Sequence, residues 1–248
     1  MIIRKYSELI LAYHDLGPGD LFIGQIPGTP QKAAILIDLM ARGVQLLPSA
    51  TAQMLGMSKT TQAFLLEPWM PPHTLAIRRR KALLDALGRY AQNGIECAVT
   101  KQEHRHCGHG VRRWNDLEML YSCISQDDSQ YPFVLQPFMK IATDLRVIIV
   151  GDYTEAYARN NLHGFRQNLA AGGESRPYSL NQTQVTLCRK IMTRGRMPYA
   201  HIDLMITDSG DTYLTEISLN GGIKGARISR SDLEQLKQEQ LTALAEAG

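Results

Sequence analysis

The 248-residue sequence lacks the hallmarks of several protein classes. It has only four cysteines (Cys97, Cys107, Cys123 and Cys188) and no C-x-x-C pair, which argues against a disulfide framework or a structural zinc site and indicates reduced thiols in a cytosolic protein. No apolar run approaches the ~18 residues that span a bilayer. The first residues lack the apolar segment of a signal peptide. We therefore expect a cytoplasmic protein with no membrane association.

The excess of one charge sign over the other is also small. The chain has 27 Lys plus Arg against 24 Asp plus Glu, a formal net charge of +3, which is too small an excess to indicate a nucleic-acid partner. Apolar residues make up 44% and charged residues 21%, so the chain can bury a core of ordinary size. Composition thus favours a globular protein and leaves its chemistry open.

The first fifth of the chain predicts a small βαβ unit. Residues 20–25 form a short apolar run, residues 32–42 have apolar residues at helical spacing, and residues 44–48 form a second apolar run. Strand, helix and strand with short links predict a parallel sheet.

The rest of the chain alternates predicted helices and strands. Ser58 is a suitable N-cap for a helix through Leu66, and the prolines of residues 67–74 predict an irregular hinge. Further helices are predicted over 78–91, 115–123 (capped by Asn115), 183–193 and 231–245, and strands over 96–101 and 133–136. Residues 145–158 and 201–217 each read as an antiparallel hairpin. The pattern predicts an α/β or α+β protein with at least two lobes.

One candidate site is a lysine followed by a glycine-containing loop. Lys101 ends a predicted strand, and Gly108 and Gly110 would let backbone amides approach a phosphate closely. A solvated lysine before an ordinary turn is an equal alternative. The same loop contains three histidines and a cysteine, which are His104, His106, His109 and Cys107. A metal site is nevertheless disfavoured, because no second cluster of ligands is near in sequence.

Two acidic residues form a second candidate site. Asp203 lies within an apolar strand, where a charge needs a partner, and the next strand carries Glu216. The short connection makes these strands antiparallel neighbours, so the two carboxylates can meet. With Asn220 they form a hard oxygen set suited to Mg²⁺ held with nucleotide phosphates. A structural ion pair with an arginine is the alternative.

A third candidate is a group of arginines. Arg146 begins a predicted strand and Arg159 ends its hairpin partner, and Arg166 and Asn168 follow before Gly172-Gly173. Arginines in one lobe can grip planar phosphate or carboxylate groups bidentately.

Taken together, these motifs resemble the RimK-like ligases of the ATP-grasp superfamily. The segments that carry the resemblance are Ser58-Lys59-Thr60, Lys101 with Gly108-His-Gly110-Val111, Val134-Leu-Gln-Pro-Phe138, Asp144-Leu-Arg-Val-Ile-Ile-Val-Gly-Asp152, Phe165 to Gly173, and Asp203 with Glu216. They cover about residues 50 to 228. The resemblance implies an α+β ATP-grasp fold with two α/β lobes clasping ATP. Its predicted parts are a reduced N-terminal βαβ segment (1–55), an N-terminal lobe with a mobile glycine loop (56–135) and a C-terminal lobe with the metal site (136–248).

The resemblance also implies roles for individual residues. Nucleotide contacts would come from Lys59, Lys101, Gly108, Gly110, Gln136, Phe138 and Asn168. Arg146, Arg159 and Arg166 would act in catalysis, and Asp203, Glu216 and Asn220 would hold Mg²⁺, with Mn²⁺ as an alternative. One departure concerns Ser218, which stands where the family usually has a metal-binding asparagine. Whether Ser218 or Asn220 completes the metal site is left open.

The implied activity is an ATP-dependent carboxylate–amine ligase that forms an amide or peptide bond through an acylphosphate and releases ADP and phosphate. A kinase of the same fold and a non-catalytic nucleotide-binding regulator are the alternatives. The expected partners are an acid and an amine (amino acid, peptide or small metabolite), with a homodimer as one arrangement. Asp203→Asn or Glu216→Gln is expected to abolish turnover while leaving the fold intact.

Overall fold

A computed structural model describes residues 1–103, 105, 109–160 and 173–247. The N-terminal part holds a 3-stranded parallel sheet of order β1-β2-β3. Its strands are β1 (Ile2–Ile3), β2 (Leu21–Ile23) and β3 (Gln45–Leu47), and its helices are α1 (Tyr6–Leu11), α2 (Lys32–Ala41) and α3 (Ala50–Leu55). Phe22, Leu36 and Leu39 lie in its hydrophobic cluster. The βαβ unit predicted from the sequence is confirmed, and β1 and α1 add a strand and a helix that the pattern did not reveal.

A 4-stranded antiparallel sheet of order β4-β7-β5-β6 follows. Its strands are β4 (Leu75–Ile77), β5 (Ala98–Gln102), β6 (Val111–Trp114) and β7 (Phe133–Pro137), and its helices are α4 (Lys59–Leu65), α5 (Arg80–Gln92) and α6 (Leu117–Ile124). Leu83, Tyr90, Leu120 and Phe133 pack in one buried cluster that joins α5 and α6 to this sheet. The connection between α4 and β4 contains a short 3₁₀ turn (Glu67–Trp69), in agreement with the irregular segment that the prolines predicted.

The C-terminal part is a 5-stranded antiparallel sheet of order β10-β9-β8-β11-β12. Its strands are β8 (Ile141–Val150), β9 (Tyr153–Asn160), β10 (Glu174–Pro177), β11 (Tyr199–Thr207) and β12 (Thr212–Ser218), and its helices are α7 (Gln182–Gly195) and α8 (Arg230–Ala247). Both predicted hairpins are present. Since β8 and β11 are adjacent in the sheet, the two hairpins share one continuous surface.

Local chemistry explains where the helices begin. The Ser58 hydroxyl accepts a hydrogen bond from the Thr61 amide at the start of α4, as its position predicted. Asn181 forms a reciprocal capping box with Gln184 at the start of α7. The predicted cap Asn115 is wrong by one residue, because the Asp116 carboxylate accepts the amides of Glu118 and Met119.

The mixed α+β class expected from the sequence is confirmed. Across the described ranges, none of the helices has both the length and the apolar composition needed to cross a membrane.

Candidate functional site

The two candidate metal acids lie side by side in the C-terminal sheet. Asp203 on β11 is the cross-strand partner of Glu216 on β12, and the β11–β12 register shifts immediately after Asp203. Asp203 is also the cross-strand partner of Arg146 on β8. Because cross-strand partners lie on the same face of a sheet, the two acids and Arg146 form one polar row. The register shift is a β-bulge, a feature that often re-aims side chains beside functional sites.

Asp203 is bound by two arginines. Nε and Nη2 of Arg146 donate to the two carboxylate oxygens of Asp203, the second at 3.0 Å. Arg159 Nη2 lies 3.3 Å from Asp203 Oδ1, and Arg159 Nε donates to Asp144. Burial alone would raise the pKa of Asp203, but the charges of Arg146 and Arg159 outweigh it and hold that pKa below its usual value.

The pKa of Asp144 is shifted in the opposite direction to that of Asp203, although both carboxylates contact Arg159. Burial raises the pKa of Asp144 to about 6, against the opposing effect of Arg159. The nearby negative charge of Asp203 contributes to the same shift. The same two carboxylates raise the pKa of Arg159 and outweigh its burial, so this guanidinium stays charged. The cluster therefore holds two cations and one firmly ionised acid, with a second acid that can take up a proton at mildly acidic pH.

Two lysines from the preceding sheet and helix reach the same acids. Lys59 Nζ lies 3.4 Å from Glu216 Oε1 and donates to the Arg105 carbonyl at 2.9 Å. Lys101 Nζ donates to the Thr215 carbonyl at 3.2 Å. Burial lowers the pKa of Lys101, and the negative charge of Glu216 partly offsets this effect. Residues far apart in sequence thus place two amino groups opposite two carboxylates, the arrangement needed to hold polyphosphate and a divalent cation together.

The buried carboxylate of Glu103, two residues after Lys101, binds the residues on both sides of Lys59. Glu103 accepts hydrogen bonds from the Ser58 hydroxyl, from the Thr60 amide at 2.9 Å and from the Thr60 hydroxyl at 3.0 Å. Sequence reasoning missed Glu103. Two features of the sequence could have indicated it: an acid two residues beyond Lys101, and hydroxyl residues on both sides of Lys59. A carboxylate is a suitable acceptor for such hydroxyls and for the free amides at the start of a helix.

The residues expected to border adenine lie in the four-stranded sheet. Gln136 is buried and its amide nitrogen donates to the Thr74 hydroxyl at 3.1 Å. The Arg113 guanidinium stacks over the Phe138 ring, 3.8 Å from its centroid. Among the described residues, no hydrogen bond or ion pair joins the side chain of Gln136 or Phe138 to the acids or lysines. Gly110 packs tightly, since a Cβ there would lie 2.4 Å from Arg105 Cβ.

Asn220 faces the N-terminal sheet. Its side-chain amide exchanges hydrogen bonds with the Gln25 amide at 2.8 and 3.3 Å. Gln25 also donates to the Tyr199 hydroxyl, and the Ser218 hydroxyl donates to the Asn220 carbonyl at 2.6 Å. The amide oxygen of Asn220 therefore already has a donor, and Ser218 orders the turn that carries Asn220.

A buried histidine beside the acids was not foreseen. His201 is 2% exposed, and within the described part of the chain neither ring nitrogen has a hydrogen-bond partner. Burial lowers its pKa to about 3, with help from the positive charges of Lys237 and Arg146. Gly221 packs against it, because a Cβ at that position would lie 2.7 Å from the ring and 2.6 Å from Arg146 Nη1.

The donor set fits a metal that arrives with phosphates. No group of three or more His, Cys, Asp or Glu side chains that could hold a metal occurs among the described residues. Asp203 and Glu216 do supply two carboxylates, and Mg²⁺ is commonly held by one or two carboxylates with the remaining ligands from phosphate and water.

Several predicted site residues lie outside the described part of the chain. They are Gly108, Arg166 and Asn168, together with His104, His106 and Cys107 of the alternative metal reading. Their assignments stay predictions.

The chain matches the family model of the RimK-like ATP-grasp domain over residues 59–238, more than half of its length. It belongs to the RimK-like ATP-grasp family. The family and fold expected from the sequence motifs are thereby confirmed. The matched region of this RimK-like protein includes both lysines, both acids and Arg146 with Arg159. No curated protein sequence matches the chain at a significant level.

Solved structures share the fold of this RimK-like protein at low sequence identity. D-cycloserine synthetase DcsG aligns with a TM-score of 0.66 and 12% identity, covering 91% of this chain and 84% of that chain. D-alanyl-alanine synthetase A from Vibrio cholerae aligns with a TM-score of 0.60 and 14% identity, covering 90% and 77%. The ATP-grasp ligase PsnB, complexed with a phosphomimetic variant of its minimal precursor, Mg and ADP, aligns with a TM-score of 0.57 and 17% identity, covering 84% and 66%.

Proposed function

We propose that this RimK-like protein is an ATP-dependent ligase that joins a carboxylate to an amine through an acylphosphate. The observation that carries the proposal is the single cluster formed by Lys59 and Lys101 with Glu216 and Asp203. The family assignment and the ligases among the structural neighbours support it.

The two lysines would provide the positive charge for the phosphates of ATP. In the structure Lys59 pairs with Glu216, and Lys101 donates to the Thr215 carbonyl. A triphosphate would replace these partners, and Glu216 would then be free to contact Mg²⁺. Bound Mg²⁺ would neutralise charge on the transferring phosphoryl group, and Asp203 and Glu216 would hold it. Mn²⁺ is the alternative metal.

Arg146 and Arg159 would position the acid and the phosphoryl group. A carboxylate oxygen of the acid substrate attacks the terminal phosphorus and ADP leaves, which gives the acylphosphate. The amine nitrogen then attacks the acyl carbon, phosphate leaves, and the nitrogen loses a proton. No nucleophilic side chain is needed, and guanidinium groups stabilise the negative charge that develops in both steps.

The acid and the amine belong to the small-molecule or peptide classes. DcsG and D-alanyl-alanine synthetase A are named for small products, and PsnB is described with a precursor. We retain Arg166 and Asn168 as phosphate-side residues and the division at 1–55, 56–135 and 136–248 as parts of the proposal. A cytoplasmic location and a homodimer likewise stay predictions.

Trapping with hydroxylamine tests the reaction type. Purified protein, ATP, Mg²⁺ and a panel of acids are expected to give hydroxamates and ADP, because hydroxylamine captures an acylphosphate. ADP formation with a hydroxyl acceptor but without hydroxamate would instead establish a kinase. Nucleotide binding without turnover across a broad acid and amine panel would establish a regulator.

Glu216→Gln provides the matched negative control for this assay. Glu216 is expected to be essential, whereas Asp208 lies on the same hairpin in a surface ion pair with Lys140. Asp208→Asn should therefore retain full activity. Equal activity of the two variants would remove Glu216 from the proposed site.

A further inference from the structure

A lysine is buried without a counter-ion at the start of α2. Lys32 is 5% exposed, and its ammonium group forms neither a hydrogen bond nor an ion pair with any residue that the structure describes. The buried part of Lys32 is its apolar stem, and its ammonium group keeps contact with solvent, where an anion can reach it. Burial lowers the pKa of Lys32, and no neighbouring carboxylate contributes to this shift. The side chain therefore lacks the acid that normally accompanies a buried lysine.

A second group at the same place lacks a partner. The Thr29 hydroxyl oxygen is buried with no hydrogen bond in the described ranges, and the Thr29 carbonyl accepts the Lys32 amide at 3.1 Å. Thr29 thus belongs to the turn that opens α2. Helical side chains lean toward the N-terminal end, so Lys32, at the first helical position, lies over this turn.

The start of α2 is open to an anion. The helix has 10 residues, its N-cap Gln31 makes no side-chain capping bond, and its first turn contains no acidic residue. The amides of Ala33 and Ala34 have no intrahelical acceptor and carry the partial positive charge of a helix N-terminus. The turn follows β2, at the carboxyl end of a parallel sheet, where α/β proteins commonly bind ligands. A Cβ at Gly28, in the same loop, would meet nothing within 4 Å.

The same loop reaches the candidate active site. Gln25 bonds to Asn220 and to the Tyr199 hydroxyl, and Asn220 follows Glu216 closely in sequence. A molecule that extends from the acids toward the N-terminal sheet would therefore pass along this loop to the start of α2.

We propose that the first turn of α2 binds a carboxylate or phosphate group, held by the Lys32 ammonium, the Thr29 hydroxyl and the Ala33 and Ala34 amides. The group is a second anion, distinct from the phosphates held by Lys59 and Lys101. Its two sources are a free anion and an anionic group of the ligase substrate. The second source rests on the proposed function; the site itself does not.

Site-resolved titration tests the site directly. Inorganic phosphate and succinate are added to the ¹⁵N-labelled full-length protein, and the amide signals of Ala33 and Ala34 are followed. Saturable shifts are expected for the wild type and for Lys5→Met, a control at a 75% exposed lysine side chain. Lys32→Met should bind at least about tenfold more weakly, a loss of about 1.4 kcal/mol. Absence of shifts, or equal affinity in Lys32→Met, would overturn the proposal.

Thr29→Val guards against a folding artefact. Valine has nearly the shape of threonine and removes only the unpartnered hydroxyl, so this variant should melt at or above the wild-type temperature while binding the anions several-fold more weakly. Unchanged anion affinity in Thr29→Val would contradict the role of the hydroxyl.

Hydroxamate assays identify the source of the anion. Simple acids are compared with analogues that carry an added carboxylate or phosphate. If the anion belongs to the substrate, the wild type has a lower KM for the analogues and Lys32→Met loses this preference with kcat retained. Equal preference in both proteins, with saturable amide shifts, assigns the site to a free anion. If no acid is turned over, the ligase proposal fails and the titration still decides the anion site.

Discussion

Glu216→Gln and Asp203→Asn provide the sharpest test of the site, because the structure predicts different effects on stability. The Glu216 side chain is 40% exposed, and its ion pair within the described residues is with Lys59. Exposed ion pairs contribute at most about 1 kcal/mol, so Glu216→Gln should lower Tm by at most about 4 °C. Turnover should be abolished, because the amide is a poor Mg²⁺ ligand.

Asp203→Asn removes the carboxylate that Arg146 contacts in the described part of the chain. The side chains of Asp203, Arg146 and Arg159 are 14%, 16% and 11% exposed. Removing one partner of a buried ion pair costs about 3 to 5 kcal/mol, which corresponds to a Tm decrease of about 6 to 20 °C in a chain of this size. The expectation from sequence that Asp203→Asn leaves the fold intact therefore differs from what the structure predicts.

Thermal unfolding followed by circular dichroism measures both effects, with Asp208→Asn as the control. A second variant, Asp203→Asn with Arg146→Gln, should recover part of the lost Tm, because it removes the cation that Asp203→Asn leaves without a carboxylate, whereas Arg159 keeps Asp144 as its partner. If Asp203→Asn melted within the range of Glu216→Gln, or if the double variant lost the full sum of both single losses, the buried cluster would not be as described.

Three further predictions concern other contacts. Gly221→Ala should lower stability by about 1 to 3 kcal/mol and reduce turnover, because its Cβ would lie 2.6 Å from a guanidinium nitrogen of Arg146. Gly222→Ala is the control: its Cβ would meet nothing within 4 Å, so it should behave as wild type in melting and ADP-release assays. Glu103→Ala should lower stability by about 3 kcal/mol, because it leaves buried Ser58 and Thr60 donors without their acceptor, and it should raise the KM for ATP; an unchanged melting curve would count against this link. Phosphates bind the charged form of Lys101, whose pKa is lowered by burial, so calorimetric affinity for ATP should fall as the pH rises through that pKa, while Lys101→Met should show a flatter profile.

Much of the fold could be predicted from the sequence because the signals are local. The helix that Ser58 caps, the helices α5, α7 and α8, and the two hairpins of the C-terminal sheet follow from capping residues, apolar spacing and short turns. Among the missed elements, β1 and β4 have two and three residues, too few for a recognisable period. The error at Asn115 arose because two adjacent residues, Asn115 and Asp116, can both cap a helix.

The candidate site was predictable only in outline. The sequence placed Asp203 and Glu216 on adjacent antiparallel strands, and the register makes them partners. It offered Mg²⁺ and an arginine pair as alternatives for Asp203. Arg146 and Arg159 contact this carboxylate, as the ion-pair alternative predicted, and the magnesium assignment stays part of the proposed function.

By itself, the sequence determined the family, the order of its motifs and the types of residue that carry charge. Tertiary structure alone decided which charges neutralise one another. Asp203 meets Arg146 and Arg159, and Glu103 meets the start of α4, because strand register and sheet order bring together residues that are distant in sequence. Lys32 looks like an ordinary polar residue of an amphipathic helix in the sequence, and only the packing around α2 buries it without a counter-ion. Burial and pairing depend on the full three-dimensional surroundings of a side chain, and these are absent from any local pattern.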